Sequence, residues 1–185
     1  IFQTCDPAAT KEDEGDYFVL TTWAMTPRRD LLLLDMFREH AETTQHEKIM
    51  VEQFNKWKPM FIGVENRTYG LTIIQRLLTI GLPVIALDDK GDKFARSITA
   101  VARYQNSTVY HLTKLWNLFE VEDELIHFPY GLHDDIVDTV GYACNWISSF
   151  PDFVEKEEAI HEAPEDNRKM SSAKERKEFF YGKKE

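Results

Sequence analysis

The chain has 185 residues, of which 43% are hydrophobic and 12% aromatic, so it can bury one sizeable core and is best interpreted as a single domain. Its formal charge of −10 excludes a generally basic nucleic-acid-binding coat, so that any contact with DNA would need a local basic stripe. No apolar run approaches the length of a membrane span, and we expect neither a membrane contact nor a signal peptide.

The chain begins with a short apolar strand and no start methionine, which favours a fragment of a larger protein. Cys5 and Cys144 lie in apolar surroundings, with no second thiol nearby in sequence and no zinc-site spacing. Both are therefore expected to be reduced packing residues of a cytosolic protein.

Short runs rich in β-branched, aromatic and aliphatic residues predict the strands. They are Ile1 to Cys5 with Asp6 as the last residue, Tyr17 to Met25, Leu31 to Met36, Met60 to Val64 ending at Glu65, Pro83 to Leu87, and Thr108 to Leu112. The second and third are expected to form an antiparallel hairpin around Pro27. Polar loops are expected at 8–15 and 88–92.

Helical periodicity predicts the remaining elements of residues 1–150. The first helix has a capping-box pattern at Thr44 and Glu47, an inner face of Ile49, Met50, Phe54 and Trp57, and a stop at Pro59. The next helix presents Leu71, Ile74, Leu77 and Leu78 and ends at Gly81; the third, Lys93 to Tyr104, has Phe94, Ile98 and Val101 inside; the fourth is Leu118 to Phe128. Residues 151–185 are expected to form a charged tail, helical or disordered.

The last predicted helix of the domain begins at His133 and has three carboxylates within its first turns: Asp134, Asp135 and Asp138. Its apolar face is Ile136, Val140, Ala143 and Ile147. Acidic residues at a helix start can be simple caps that complement the helix dipole. Carboxylates this close raise one another's pKa, however, and a cation relieves that cost.

Two further acids are predicted at the same place, since Asp6 and Glu65 end two strands expected to be parallel neighbours. The carboxyl edge of such a sheet is where α/β proteins place their sites. Oxygen ligands without a His or Cys cluster select Mg²⁺ or Mn²⁺. Two such ions about 3.5–4 Å apart can cleave a phosphodiester bond, one generating the nucleophile and the other stabilising the leaving oxygen. Taken singly, Asp6 before Pro7 and Glu65 before a turn could equally be structural residues.

The order of these elements and their residues resembles the nuclease domain of bacteriophage large terminase subunits, the viral DNA-packaging motors. The resemblance spans residue 1 to about residue 150 and rests on Cys5, Asp6, Pro7, Ala8, Gly15, Asp16, Tyr17; Val64, Glu65, Asn66, Gly70; Lys93, Arg96; Val109, Tyr110, His111; and Phe128, Pro129, Gly131, His133, Asp134, Asp135, Asp138. It implies an α/β, ribonuclease H-like fold, with a mixed sheet of three antiparallel strands followed by parallel strands, flanked by helices.

The resemblance also implies an endonuclease that cuts concatemeric viral double-stranded DNA during packaging in the host cytoplasm. Asp6, Glu65 and one or both of Asp134 and Asp135 would hold Mg²⁺ or Mn²⁺, as two ions with DNA bound. Asp138 is a third acid that could bind the metal directly or support a residue that does. The expected partners are the ATPase domain of the same protein, the portal and the small terminase subunit. No Gly-rich loop ending in Gly-Lys-Ser/Thr is present, so this chain should not hydrolyse ATP.

Basic residues near this edge are the candidates for DNA phosphate contacts. They are Arg67, Lys90, Lys93, Arg96 and Arg103, of which the last three recur at roughly helical spacing. The alternative is an ordinary solvated face beside the acids of 88–92. His133 could support the acids or contact water, although a histidine at a helix start is often plain polar surface.

Two other functions are compatible with the residues. One is a junction resolvase or transposase-type enzyme of the same fold, and the other is a non-catalytic docking module whose acids are helix caps. A sugar-kinase-like ATPase is disfavoured because no glycine-rich turn follows Asp6.

Overall fold

A computed structural model describes residues 1–7, 17–87 and 93–149, with the backbone alone at 68 and 93–95. The predicted tail at 151–185, the loops at 8–15 and 88–92, and the side chain of Phe94 lie outside the described residues. The strands are β1 (Phe2–Asp6), β2 (Phe18–Met25), β3 (Leu31–Glu39), β4 (Ile62–Glu65), β5 (Val84–Leu87) and β6 (Val109–His111). The helices are α1 (Thr43–Trp57), α2 (Thr68–Thr79), α3 (Lys93–Gln105), α4 (Leu118–His127) and α5 (Asp135–Ser148). No described helix has both the length and the apolar character needed to span a membrane.

The six strands form one mixed sheet in the order β5-β4-β1-β2-β3-β6. Strands β1, β2 and β3 are antiparallel neighbours. Strands β4 and β5 run parallel to β1, and β6 runs parallel to β3. This confirms the predicted ribonuclease H-like topology and the parallel pairing of β1 with β4.

Successive residues of the central strands point to opposite faces of the sheet, and each face carries its own core. One core joins Phe2, Val19 and Trp23 to α5 through Ile136 and Val140. The other joins Cys5, Leu20 and Val64 to α1 and α2 through residues such as Met50 and Leu77. Cys5 and Cys144 are buried free thiols, as predicted.

Polar side chains at the middle of the sheet are buried and hydrogen-bond to one another. The Gln3 amide donates to Thr22 Oγ1 at 3.0 Å, and the Thr4 and Thr21 hydroxyls lie 2.8 Å apart. Thr4 Oγ1 also donates to the carbonyl of Thr139 at 2.9 Å, which attaches α5 to β1. The first two bonds join β1 to β2, and the third holds α5 against the sheet.

Three predicted details of the helices are wrong. Helix α1 has its capping box at Glu42 and Gln45, because the observed N-cap lies two residues before the predicted cap Thr44. On α2 the buried residues are Ile73, Ile74 and Leu77, whereas Leu71 and Leu78 are about half exposed.

The third error concerns α3, where Ile98 and Val101 are exposed by 54% and 51%. The buried face instead carries Arg96, Ser97 and Ala100. This face packs on α5 partly through polar contacts, including one from Asn145 Nδ2 to the Arg96 carbonyl at 3.1 Å. Hydrophobic periodicity therefore selected the wrong side of the helix.

Gly70, in the first turn of α2, lies against the end of β4. A Cβ at this position would stand 1.9 Å from the carbonyl oxygen of Glu65. That separation is impossible without a backbone shift, so glycine is required where α2 begins beside the strand.

Replacing Gly70 by Ala should therefore destabilise the protein by about 1–3 kcal/mol or more, because the added methyl overpacks against backbone. The matched control is Gly141→Ala in α5, where the nearest atom to an added Cβ is 3.8 Å away. That change should be neutral or stabilise by up to about 1 kcal/mol through helix propensity. Urea unfolding of both variants measures the difference, and equal effects would contradict the steric argument.

Candidate metal-binding nuclease site

Asp6 and Glu65 are side by side at the carboxyl ends of β1 and β4. Cys5 pairs with Val64 in the parallel register, so the next residue of each strand is one of these acids. Burial raises the pKa of the neighbouring Cys5 thiol, and the charges of Asp6 and Glu65 raise it further. Glu65 is only 5% exposed.

Helix α5 brings Asp135 to the same edge. The backbone N–H of Tyr17 donates to Asp135 Oδ2 at 3.3 Å. Since Asp6 pairs with Val19 in the antiparallel register, Tyr17 lies just beyond the end of β1. Asp135 is 4% exposed, and the structure thus brings it towards the Asp6 and Glu65 strand ends.

Asp134 and His133 precede the helix and are both half-buried. Asp134 occupies the N-cap position, and its side chain makes no cap hydrogen bond. The His133 ring meets the Tyr17 ring edge-on at 5.0 Å between centroids. This places His133 beside Tyr17, the residue just before β2.

The residue that does cap α5 is Glu124 of α4. Glu124 Oε1 accepts the backbone N–H of Ile136 at 2.6 Å and that of Val137 at 3.2 Å. Its Oε2 lies 3.2 Å from Arg38 Nη2. Burial raises the pKa of Glu124, whereas Arg38 and the helix N–H groups lower it. Sequence reasoning missed this residue, because Glu124 is one of several acids in α4 and nothing local distinguishes it.

Asp138 is 6% exposed and pairs with Arg96 of α3, with Nη2 to Oδ1 at 3.2 Å. The Arg96 side chain is 8% exposed. The prediction that Arg96 belongs to a surface stripe for DNA is therefore wrong, since its guanidinium neutralises a buried carboxylate.

Glu65 has two donors on the same oxygen. The Tyr142 hydroxyl donates to Glu65 Oε1 at 2.6 Å, and Arg67 Nε lies 3.1 Å from that atom. Burial is the main cause that raises the pKa of Tyr142, and the Glu65 carboxylate adds to it, so the hydroxyl remains a neutral donor. Tyr142 was not identified from the sequence, although it lies seven residues, or about two turns, after Asp135.

Among the candidates whose side chains the structure describes, Arg67 and Arg103 do not form a stripe with Arg96. Arg67 is 59% exposed beside Glu65. Arg103 is half-buried and donates to the carbonyl of Arg29. Lys90 and the side chain of Lys93 lie outside the described residues.

The donor chemistry of this edge fits a hard divalent cation, because carboxylate oxygens are what Mg²⁺ and Mn²⁺ prefer. Within 1–7, 17–87 and 93–149, no three acidic, His or Cys side chains converge closely enough to be recognised as a metal site. Asp6 and Glu65 end adjacent strands at this edge, and Asp135 Oδ2 accepts the backbone N–H of Tyr17 just beyond the end of β1.

The sequence matches no protein-family profile and no curated protein. Among solved structures, the large terminase nuclease of thermophilic phage G20c with bound zinc is similar at a TM-score of 0.60 and 17% identity, over 81% of this chain and 82% of that one. The same nuclease with bound magnesium gives 0.60 and 15%, over 78% and 80%.

The fowlpox virus resolvase, solved with Holliday junction DNA, is similar at a TM-score of 0.53 and 12% identity, over 81% of this chain and all of that one. At these identities the likeness is one of fold. The chain thus has a ribonuclease H-like fold similar to that of phage large terminase nuclease domains.

Proposed function

We propose that this chain is a divalent-metal-dependent DNA endonuclease that cuts concatemeric viral DNA during genome packaging. The observation that supports it best is the placement of Asp6, Glu65 and Asp135 at one edge of a ribonuclease H-like sheet. Structural neighbours with bound zinc or magnesium, and one with junction DNA, support both the cofactor class and the substrate class.

Asp6, Glu65 and Asp135 are the proposed ligands, with Asp134 as the neighbouring alternative on the same helix start. Mg²⁺ or Mn²⁺, as a pair of ions, would supply an activated water and stabilise the leaving oxygen. The chain itself supplies the charge that attracts the ions and, through Arg67, a cation at the same edge to bind a DNA phosphate. Asp138 serves as an anchor for Arg96 in this proposal and is not a ligand.

The proposal includes the partners that the resemblance implies: double-stranded DNA, an ATPase domain of the same protein, the portal and the small terminase subunit. The host cytoplasm is the proposed location, which suits the two buried free thiols.

A junction resolvase is the second candidate, favoured by the similarity to the fowlpox enzyme. Cleavage of a four-way junction and of a linear duplex with the same arms separates the two. Preference for the junction would favour the resolvase, and equal cutting would favour the packaging nuclease.

Asp6→Asn should abolish Mn²⁺-dependent nicking of supercoiled plasmid while stabilising the metal-free protein. The substitution keeps the shape and removes one of the facing negative charges at this edge. Saturating Mn²⁺ should raise the melting temperature of the wild type by mass action, equivalent to about 2.7 kcal/mol at 100 times Kd, and raise that of the variant much less.

Glu52→Gln is the charge-matched control, since Glu52 is 64% exposed on α1 and should nick and respond to metal like the wild type. An Asp6→Asn protein that is less stable and still nicks DNA would show that Asp6 is a turn residue. No effect of metal on wild-type stability or cleavage would favour the docking module.

Arg67→Gln should weaken DNA binding uniformly across sequences and reduce the slope of log affinity against log salt by about one unit, as expected for one lost phosphate contact. Arg28→Gln is the control, because Arg28 is an exposed arginine in the turn between β2 and β3, beyond the opposite end of β1. Fluorescence anisotropy at several salt concentrations measures both slopes. Equal slopes for the two variants would remove Arg67 from the DNA interface.

A further inference from the structure

We propose that Tyr142 is a positioning residue for Glu65, held in place by the buried Arg96–Asp138 ion pair. The inference rests on the proposed function, because it concerns how Glu65 is prepared for a cation. Its starting point is the 2.6 Å hydrogen bond from the Tyr142 hydroxyl to Glu65 Oε1. Tyr142 is 3% exposed, so water does not compete for this bond.

The Tyr142 ring is fixed by charges on two helices. The Arg96 guanidinium lies 5.4 Å from the centre of the ring, a cation–π distance. Arg96 is in turn held by Asp138 at 3.2 Å, with both side chains less than a tenth exposed. Because Asp138 and Tyr142 are one turn apart on α5, the ion pair and the tyrosine form one buried assembly between α3 and α5.

Arg67 and Tyr142 have different roles on Glu65, although both bind Oε1. Arg67 is 59% exposed, so its guanidinium can turn from Glu65 to a phosphate. Tyr142 is buried and neutral, so it orients the carboxylate without cancelling its charge. Glu65 would thus keep one fixed orientation whether or not Arg67 is engaged elsewhere.

Tyrosine suits this role better than a cation would. A buried arginine on Glu65 would compete with a metal ion for the carboxylate charge, whereas a hydroxyl leaves that charge available. Groups that orient a metal ligand by hydrogen-bonding to it typically contribute about 10- to 100-fold to metal affinity. Arg96 pairs with Asp138 and lies over the tyrosine ring.

The experiment is a calorimetric titration of the full chain with Mn²⁺ in the wild type and in Tyr142→Phe. We expect the Kd for Mn²⁺ to rise about 10-fold or more in the variant. In nicking assays the Mn²⁺ concentration for half-maximal activity should rise in parallel, while KM for DNA stays unchanged. If Tyr142 had a purely structural role, the variant would be less stable, but its Mn²⁺ requirement would not rise relative to its KM for DNA.

Tyr104→Phe is the matched control, because it removes the same atom from a hydroxyl that lies 2.7 Å from His111 Nε2. Its Mn²⁺ affinity should equal that of the wild type. Should Tyr142→Phe fail to fold, Arg96→Lys takes its place, since lysine keeps a positive charge beside Asp138 and loses the planar group over the ring. We expect Mn²⁺ binding to weaken there as well.

One contrary result is that the wild type binds Mn²⁺ and nicks DNA while a folded Tyr142→Phe or Arg96→Lys protein binds Mn²⁺ equally well. That result would overturn the positioning role and leave the proposed function intact. A wild type that neither binds Mn²⁺ nor nicks DNA would overturn both.

Discussion

Buried negative charge is the constraint on which the rest of this structure depends. A carboxylate removed from water costs several kcal/mol unless donors or cations replace its hydration. In the part of the chain that the structure describes, five carboxylates are less than a tenth exposed: Asp35, Glu65, Glu124, Asp135 and Asp138. Each meets a specific donor, as when Asp35 accepts both Lys56 Nζ at 2.5 Å and the Trp57 indole N–H at 2.9 Å. The helices are consequently joined to the sheet and to one another by charge as well as by apolar contact.

Helix α5 shows how these contacts determine the site. Its buried N-terminus is capped by Glu124 from α4, and Glu124 is balanced by Arg38 from β3. Thr4 holds the middle of the helix to β1. Three separate elements thus fix the helix that presents Asp135, so that the side chain is positioned by the scaffold and not by its own loop.

Local patterns predicted the elements and part of their arrangement. Apolar runs ending at Asp6 and Glu65 identified the strand ends, and the order of elements predicted the β2–β3 hairpin and the parallel pairing of β1 with β4. The complete mixed sheet was expected from the resemblance to terminase nucleases, and the structure contains it. The inner face of α5 was also correct, with Ile136, Val140, Ala143 and Ile147 buried. These features depend on neighbouring residues in the chain, which is why periodicity finds them.

Long-range pairing could not be predicted in the same way. Arg96 and Asp138 are 42 residues apart, Glu124 reaches N–H groups 12 and 13 residues away, and Tyr142 reaches Glu65 across 77. Judged from the sequence around it, each of these residues resembles an ordinary charged surface residue or an ordinary core residue. An arginine on the inner side of α3 contradicts hydrophobic periodicity, and only the opposing aspartate makes its burial favourable.

The close approach of Gly70 to Glu65 also affects how this protein can be engineered. The connection from β4 to α2 is Asn66 and Arg67 alone, and the helix backbone starts against the Glu65 carbonyl. The connection therefore works as a fixed-length spacer, which carries an exposed arginine and sets the distance between a strand end and a helix start. Lengthening the connection by one residue would move Arg67 away from Glu65 without changing either side chain. Substitutions or insertions intended to change substrate binding should therefore be made in segments that do not contact the end of β4.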